Sequence, residues 1–198
     1  MQTKALNARE AVLASAIKAF ARRGYAGTSV QEILQATGLS KPTVYYYFES
    51  KAGLFRAILA FAYDESFRLM QAGVKGKTGC AQQLVEVAFA LFDFANRYQN
   101  LTRLVFATVF AAPEEIPPNS IDAARRQRNF EFVLTVVRSA QKNGELNPDY
   151  EPIELAHGIF GAVSHQIRSH LIQPDGPLDR QRAERVVSLF LNGARKRK

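Results

Sequence analysis

Apolar residues recur along this chain at the three- and four-residue spacing of amphipathic helices, and no segment shows the strict alternation of a half-buried strand. The pattern predicts helices over about residues 8–23, 30–36, 41–48, 51–71, 81–98, 101–111, 120–143, 152–170 and 178–194, with Asn7 as the cap of the first. The inner stripe predicted for the first helix is Leu13, Ala16, Ile17, Phe20 and Ala21. The fold class is therefore all-α, with about nine helices.

Two short helices joined by a tight turn are predicted by the segment TSVQEILQATGLSKPTVYYYFESK. Thr28 or Ser29 can cap the first helix, and Gly38 can adopt the positive φ that ends it. Ser40 caps the second helix, and Pro42 falls in its first turn, where a missing N–H costs nothing. Two small helices joined by a glycine-containing turn match a helix-turn-helix, whose second helix enters the major groove of DNA.

The second helix of this pair buries little of its surface. Val44 and Phe48, four residues apart, are predicted to face inward. The side chains left on its outer face are Lys41, Thr43, Tyr45 and Tyr46. Hydroxyl groups bond phosphate oxygens, lysine adds positive charge, and apolar groups contact thymine methyls. A surface helix with incidental aromatics is the plain alternative, but exposed tyrosines beside a cap and a lysine favour a DNA-reading surface.

A specific pattern extends over about the first sixty residues: Ala16, Phe20, Gly24, Thr28, Ile33, Ala36, Gly38, Ser40, Val44, Tyr45, Tyr46, Phe48, Lys51 and Leu54. In these positions the chain resembles the TetR family of transcriptional regulators. The resemblance implies a helix-turn-helix DNA-binding domain of three helices over residues 1–52 and a helical effector-binding and dimerisation domain over residues 53–198. It also implies a DNA backbone contact at Lys51, where the N-terminus of the fourth helix suits a phosphate. The predicted DNA-binding residues are Thr28, Ser29, Ser40, Lys41, Pro42, Thr43, Tyr45, Tyr46 and Lys51.

Positive charge is concentrated in the N-terminal part of the chain. The net charge is +8, and residues 1–56 contain eight Lys or Arg against three Glu. A basic excess indicates a polyanionic partner without choosing between nucleic acid and a membrane surface. A basic protein that binds DNA without sequence preference, or one that packs on a membrane, would need a broad basic face without base-reading side chains. The outer face of the second helix of the pair argues against both alternatives.

Neither an enzyme nor a cofactor is expected. His157, His165 and His170 lack the spacing of metal ligands, so no metal site is predicted, and no nucleophile with a nearby base or Gly-rich phosphate loop is found. The single Cys80 excludes an intrachain disulfide and fits a reducing cytoplasm. No apolar stretch approaches the roughly 20 residues of a membrane span, and the N-terminal apolar positions are interrupted by charges, unlike a secretory signal. A cytoplasmic protein without a membrane partner is expected.

The predicted middle helices are rich in phenylalanine. Core packing is the plain interpretation of any one of these residues, whereas the whole set favours an apolar pocket between helices. TetR-like proteins commonly bind a small, often hydrophobic effector in this domain, and the resemblance implies the same here. The predicted ligand-binding residues are Phe89, Phe92, Phe106, Phe110, Arg128, Phe132 and His157.

The last two helices carry apolar residues at helical spacing, and Gly158 and Gly161 permit close helix approach. Packing within the chain is one interpretation, and a two-fold seam of four helices between subunits is the other. A homodimer has a physical reason, because one short recognition helix reads too few bases and two related helices read a palindrome. The predicted interface residues are Ile159, Ala162, Val163, Gln166, Val186, Val187 and Phe190.

Together these features predict a homodimeric, ligand-responsive transcriptional regulator bound to a double-stranded DNA operator. Most relatives in the TetR family are repressors, so repression is the first expectation and activation by the same fold is the alternative. The resemblance implies an effector site between the middle helices. There an effector would shift the fourth helix and change the spacing of the two recognition helices, roughly 34–36 Å on DNA. Such a switch requires that the effector bind the two states with different affinity.

Overall fold

The computed structural model of the chain describes residues 2–112, 114–120 and 122–194. Over these residues it contains nine α-helices and no strand, which confirms the predicted fold class. The helices are α1 Gln2–Arg23, α2 Val30–Thr37, α3 Lys41–Phe48, α4 Lys51–Val74, α5 Cys80–Arg97, α6 Gln99–Val109, α7 Ala123–Lys142, α8 Pro152–Ile172 and α9 Arg180–Ala194. None of the helices in this described part of the chain is long and apolar enough to cross a membrane.

The start of α1 differs from the predicted one. The helix begins at Gln2 rather than Ala8, and Asn7 lies inside it instead of capping it. The residues between these positions include Lys4, Ala5 and Leu6, which favour helix, and contain no glycine or proline that would stop it. The other helix ends lie within about one turn of the predicted ones.

The chain divides into two compact units. Unit 1 comprises Met1–Ala62 with Asn100–Ala123, and unit 2 comprises Tyr63–Gln99 with Ala124–Lys198. The three divisions therefore fall inside α4, at the start of α6 and at the start of α7. These units are defined by compactness, and the functional boundary after residue 52 stays a prediction.

In unit 1, α1 packs against both α2 and α3, which also contact each other. Among the residues of α1 from position 8 onwards, the buried ones are Val12, Ala16, Ala19 and Phe20. The remaining members of the predicted stripe, Leu13, Ile17 and Ala21, are half-buried at its edge. The buried face of α1 therefore lies nearer Val12 and Ala19 than predicted. It is wider than a single line of residues because α1 packs against two helices.

In unit 2, α5 lies against both α8 and α9, and those two helices also pack on each other. Phe92 is fully buried on α5. Gly158 of α8 faces the ring of Phe190 on α9, where an added Cβ would lie 3.2 Å from a ring carbon. The close helix approach predicted at Gly158 is therefore a contact within the chain.

Ion pairs between distant positions connect the helices of unit 2. Arg180 of α9 donates to both carboxylate oxygens of Glu86 on α5, at 2.9 and 3.0 Å. The hydrogen bonds from Arg180 hold the pKa of Glu86 below its ordinary value. Arg182 donates to both oxygens of Asp175, at 2.8 and 3.0 Å, and to Oε1 of Gln166 at 2.9 Å. Arg180 and Glu86 are 94 residues apart in the sequence, whereas Arg182 joins the start of α9 to α8 and to the loop directly before α9.

Candidate nucleic-acid interface

Local capping interactions build the turn between α2 and α3. The Oγ of Ser29 accepts a hydrogen bond from the third residue of α2 at 3.2 Å, and Gly38 ends the helix with φ 66°. The Oγ of Ser40 accepts from the third residue of α3 at 3.4 Å, and Pro42 occupies the first turn. Each of these contacts spans a few residues, and together they confirm the predicted helix caps.

The orientation of α3 follows from two buried side chains. Val44 and Phe48 are buried, as the spacing predicts. Tyr46 on the opposite side is 82% exposed, and Lys41 is exposed in the first turn. The ammonium of Lys41 lies 5.7 Å from the ring centre of Tyr45, which is half-buried. The helix therefore presents a cation and phenolic hydroxyls on a face that makes little contact with the protein.

The predicted hydroxyl groups lie in two different settings. The Oγ1 of Thr43 lies 2.8 Å from the Oγ of Ser40 at the start of α3, and Ser40 is exposed. Thr28 is 2% exposed, and its hydroxyl donates to the carbonyl oxygen of Gly24 at 2.8 Å. Thr28 therefore holds the turn between α1 and α2, and its side chain is not available to a phosphate in this conformation.

Lys51 begins α4 beside an aromatic ring. Its ammonium lies 4.2 Å from the ring centre of Tyr25, and partial burial lowers the pKa of Lys51. Tyr25 in turn packs against Phe55 at 5.1 Å between ring centres. Tyr25 is not among the residues that the sequence predicts to be functional, although its position directly after the glycine that ends α1 could have indicated it. The ring holds Lys51 in place without neutralising its charge.

A tight junction sets the direction of α4 relative to α3. Glu49 adopts a positive φ of 61°, and the Oγ of Ser50 accepts from the backbone N of Gly53 at 2.9 Å. An added Cβ on Gly53 would collide with the carbonyl oxygen of Phe48. Glycine at this position therefore allows the start of α4, with Lys51, to approach the end of α3.

Three cations of unit 1 lie near aromatic rings. Lys41 and Lys51 do so as described, and the guanidinium of Arg9 lies 5.5 Å from the ring centre of Phe48. Among the described residues none of these three cations forms an ion pair with a carboxylate. Their charge is therefore available to an external anion.

The predicted ligand-binding residues are distributed over both units. Phe106 and Phe110 belong to unit 1, where Phe110 is 79% exposed just after α6. Phe89 of unit 2 packs under Arg180, with 4.6 Å between the guanidinium carbon and the ring centre. Phe92 belongs to the buried core of unit 2. The structure therefore gives these four residues different surroundings.

The other three predicted ligand-binding residues lie on α7 and α8. Phe132 packs edge-on against Phe67 at 5.7 Å between ring centres. The guanidinium of Arg128 lies 4.2 Å from the ring centre of the same Phe67, and His157 stacks on Phe130 at 4.5 Å. Because the partners differ, a common site formed by the whole predicted set stays a prediction.

Unit 2 contains a cavity of about 270 Å³ between α4, α5 and α7. Its lining includes Val74, Cys80, Gln83, Phe132, Val136 and Glu145. The Oε2 of Glu145 accepts a hydrogen bond from the backbone N of Cys80 at 2.7 Å. Burial raises the pKa of Cys80 to about 12, so its thiol stays protonated and is a weak nucleophile. The lining is mixed, because Thr135, Ser139 and Asn143 line the cavity as well as the apolar residues.

The structure buries part of the predicted dimer interface inside the chain itself. Ile159, Val163 and Val187 are buried within the chain, because α8 and α9 pack on each other and on α5. Their side chains therefore belong to the core of unit 2 and are not available to a second subunit. The remaining members of the predicted seam, Ala162, Gln166, Val186 and Phe190, are half-buried.

Two apolar residues of α8 and α9 are largely exposed. Ile172 at the end of α8 and Leu189 of α9 each have 78% of their surface exposed. Neither residue was part of the predicted seam, because sequence periodicity does not show which side of a two-sided helix the chain itself covers.

Comparison with known proteins extends over both units. Residues 12–58 match the profile of the bacterial regulatory proteins, tetR family. The HTH-type transcriptional repressor AcnR of Corynebacterium glutamicum is 34% identical over 167 residues, which cover 81% of this chain and 79% of AcnR. The HTH-type transcriptional activator FasR of Mycolicibacterium smegmatis is 29% identical over 108 residues, or 54% of this chain and 49% of FasR.

A solved structure supports the same fold. The fatty acid degradation regulator FadR from Bacillus halodurans superposes with a TM-score of 0.83 at 16% identity, covering 96% of this chain and 97% of that chain. This likeness concerns the fold, whereas the identity to AcnR along most of both chains concerns the family. The chain belongs to the TetR family of bacterial regulatory proteins, and it is a DNA-binding transcriptional regulator rather than an enzyme.

Proposed function

We propose that the protein is a ligand-responsive repressor that binds a palindromic operator as a homodimer in the cytoplasm. The outer face of α3 carries the proposal, because Tyr46 is 82% exposed while Val44 and Phe48 anchor the opposite side. Repression is favoured over activation because AcnR, named a repressor, aligns over 81% of this chain. FasR, named an activator, aligns over 54% of it.

In this proposal α3 lies in the major groove with its first turn towards the base edges. Lys41, Pro42 and Thr43 occupy that turn, where a recognition helix contacts bases. Tyr46 and Lys51 would bind the phosphate backbone, since a phenolic hydroxyl donates to phosphate oxygens and an ammonium neutralises them. Ser29 and Ser40 are exposed at the N-termini of two helices, which also suits a phosphate.

We propose that the homodimer forms through the exposed sides of α8 and α9. Leu189 and Ile172 supply exposed apolar surface, and the half-buried Ala162 and Val186 lie on the same two helices. Leu189→Asp should yield monomers in light scattering, because an unpaired charge in an apolar seam is costly. The adjacent exposed residue provides a control, Ser188→Asp, which should leave the dimer intact. A monomeric wild-type chain that still bound a palindrome tightly would contradict the proposed assembly.

The effector is proposed to be a small hydrophobic molecule that binds in unit 2. The cavity of about 270 Å³ is close to the lower end of ligand-binding cavities and combines Phe132 and Val136 with Gln83. Its wall includes Val74 in the last turn of α4, the helix that begins with Lys51. A ligand that repositions α4 would therefore act on an element that carries a proposed phosphate contact.

The effector proposal is tested by reciprocity. Hydrophobic metabolites would be screened by thermal shift, and each hit would be titrated with and without operator DNA. Coupling of about 1–3 kcal/mol predicts that the effector weakens operator binding roughly five- to 150-fold, and that the operator weakens effector binding by the same factor. Ligands that bind equally well in both conditions would contradict a negative switch.

DNA reading is tested by selecting bound fragments from random DNA and then titrating variants on the selected site. Tyr46→Ala and Lys41→Ala should each weaken binding roughly tenfold without loss of folding, since a good contact contributes about 1–3 kcal/mol. Matched controls are Tyr150→Ala and Lys75→Ala, exposed residues of unit 2 that should bind as the wild type does. Wild-type affinity in both α3 variants would contradict the assignment.

The same selection separates the proposal from its main alternative. A protein that binds DNA through charge alone would enrich no motif, and Lys41→Ala would lose affinity equally for all sequences, whereas loss of a base contact should also relax specificity. A palindromic motif would instead support two recognition helices related by a two-fold axis.

A further inference from the structure

Unit 1 contains a groove that the proposed DNA contacts do not use. The groove has a volume of about 290 Å³ and lies between the end of α1, the turn that follows it, α4, and α6 with the segment after it. All of its lining residues belong to unit 1, and none of the nine predicted DNA-binding residues is among them. The groove is therefore a feature of unit 1 that DNA reading leaves unexplained.

Three aromatic rings form one wall of the groove. Phe20 and Phe55 lie edge to face at 5.2 Å between ring centres, and Tyr25 lies 5.9 Å from the first and 5.1 Å from the second. Leu104 and Ala107 of α6 also line the groove. Phe20 and Phe55 are each 1% exposed and lie behind this wall, so the half-buried ring of Tyr25 supplies the face that a flat aromatic guest would contact. The apolar part of a ligand would therefore be planar.

The charged groups of the lining differ in how far they are already paired. Arg23 is paired with Glu32, at 2.9 Å, and Glu115 accepts a hydrogen bond from the backbone N of Ala112 at 3.1 Å. Arg103 is exposed and, in the described part of the chain, forms no ion pair. A free guanidinium beside an aromatic wall is complementary to a carboxylate, which it can bind with two parallel hydrogen bonds.

We propose that this groove binds a small planar aromatic carboxylate, with the ring system against Tyr25 and the carboxylate on Arg103. The volume of about 290 Å³ suits a guest of one or two fused rings, close to the lower end of ligand-binding cavities. Tyr25 contacts both this groove and the ammonium of Lys51, so an occupied groove shares a side chain with the start of α4.

The test uses 2-naphthoate as the probe and the full chain, by titration calorimetry and NMR. We expect one probe per chain, with shifts of the Tyr25 ring resonances. Arg103→Gln should weaken binding roughly tenfold, the usual scale for a hydrogen bond to a charged group. Ala107→Trp should abolish binding, because it fills the groove from an exposed position. The control Arg126→Gln, an exposed arginine of unit 2, should change affinity by less than about twofold.

The uncharged analogue 2-naphthamide isolates the role of the carboxylate. It should bind the wild type roughly tenfold more weakly than 2-naphthoate does, and the two probes should bind Arg103→Gln equally. No detectable binding of 2-naphthoate to the wild type, or equal binding to the wild type and Arg103→Gln, would overturn the proposal. If Ala107→Trp failed to fold, the comparison of 2-naphthoate with 2-naphthamide would still test whether Arg103 binds the carboxylate. None of these measurements contains DNA, so the outcome is independent of the proposed operator binding.

Discussion

The two units of this chain use their cations in different ways. In unit 1, Arg9, Lys41 and Lys51 lie beside aromatic rings and have no carboxylate partner among the described residues. In unit 2, most arginines with described contacts bind carboxylates. These pairs are Arg68–Glu65, Arg97–Asp93, Arg125–Asp64, Arg128–Asp64, Arg138–Glu131, Arg180–Glu86 and Arg182–Asp175. Unit 1 has an exception in Glu32, which pairs with Arg22 and Arg23.

This difference separates charges that hold the protein together from charges that remain for a partner. A carboxylate cancels most of the field of the cation it binds, whereas an aromatic ring positions the cation and leaves its charge intact. Arg180 is paired with Glu86 and links α9 to α5, whereas the charge of Lys51, which lies over the Tyr25 ring, is not paired with a carboxylate among the described residues. Affinity for a polyanion should therefore reside in unit 1, and ionic contributions to stability should reside in unit 2.

The largest expected effect concerns salt. Two subunits that each neutralise about two phosphates would make about four phosphate contacts, so operator affinity should fall roughly 100-fold between about 50 and 200 mM salt. Lys51→Gln should flatten the slope of log affinity against log salt by about two in the dimer, because each subunit loses one proposed phosphate contact. The control Lys142→Gln, in unit 2, should leave the slope unchanged. Fluorescence anisotropy measures the operator affinity and its salt slope. A wild-type affinity that does not change with salt would contradict the assignment of polyanion binding to the cations of unit 1.

A smaller effect is expected on the stability of unit 2. Arg180→Gln leaves the buried carboxylate of Glu86 without its bidentate partner. The side chain of Arg180 is 47% exposed, so solvent screens the pair, and we expect a loss of about 1–2 kcal/mol rather than the larger cost of a fully buried pair. Urea unfolding followed by circular dichroism would measure it. Arg185→Gln, an exposed neighbour on α9, should lie within about 0.5 kcal/mol of the wild type, and an equal loss in both variants would contradict the assignment.

A local change in unit 1 should cost less. Ser40→Ala removes the side-chain cap of α3, a bond that is long at 3.4 Å, so the expected loss is about 0.5–1 kcal/mol. Hydrogen exchange should report faster opening of the α3 amides, with those of α8 unaffected. Protection of α3 equal to that of the wild type would show that packing of Val44 and Phe48 alone holds the helix.

The smallest effect concerns pH. Arg180 lowers the pKa of Glu86, so the stabilisation is complete above the unfolded-state value of about 4.3 and is lost as the pH falls through the lower folded pKa. Between about pH 5 and pH 3 we expect a partial loss of stability that is smaller in Glu86→Gln than in the wild type. Glu65 and Asp175, whose pKa values are also lowered by arginines, remain in both proteins, so the difference between them isolates Glu86. Identical pH profiles would remove the pair as a source of pH dependence.

The sequence by itself determined the helix-turn-helix. Ser29, Gly38 and Ser40 act on backbone groups within a few residues of themselves, and the spacing of Val44 and Phe48 defines the buried side of α3. Such interactions join residues that are close in sequence. The caps, the turn and the outer face of α3 can therefore be predicted without the tertiary structure. The all-helical class and most helix ends follow from apolar periodicity in the same way.

Tertiary structure decided which apolar surfaces remain available. Ile159, Val163 and Val187 have the same periodicity as interface residues, but α5 covers one side of their helices and places them in the core. The contact of the Lys51 ammonium with the Tyr25 ring also joins segments that are distant in sequence, and so does the groove beside α6. Periodicity shows that a helix has an apolar side, whereas its covering depends on which other helices pack there, and that information is distributed over the whole chain.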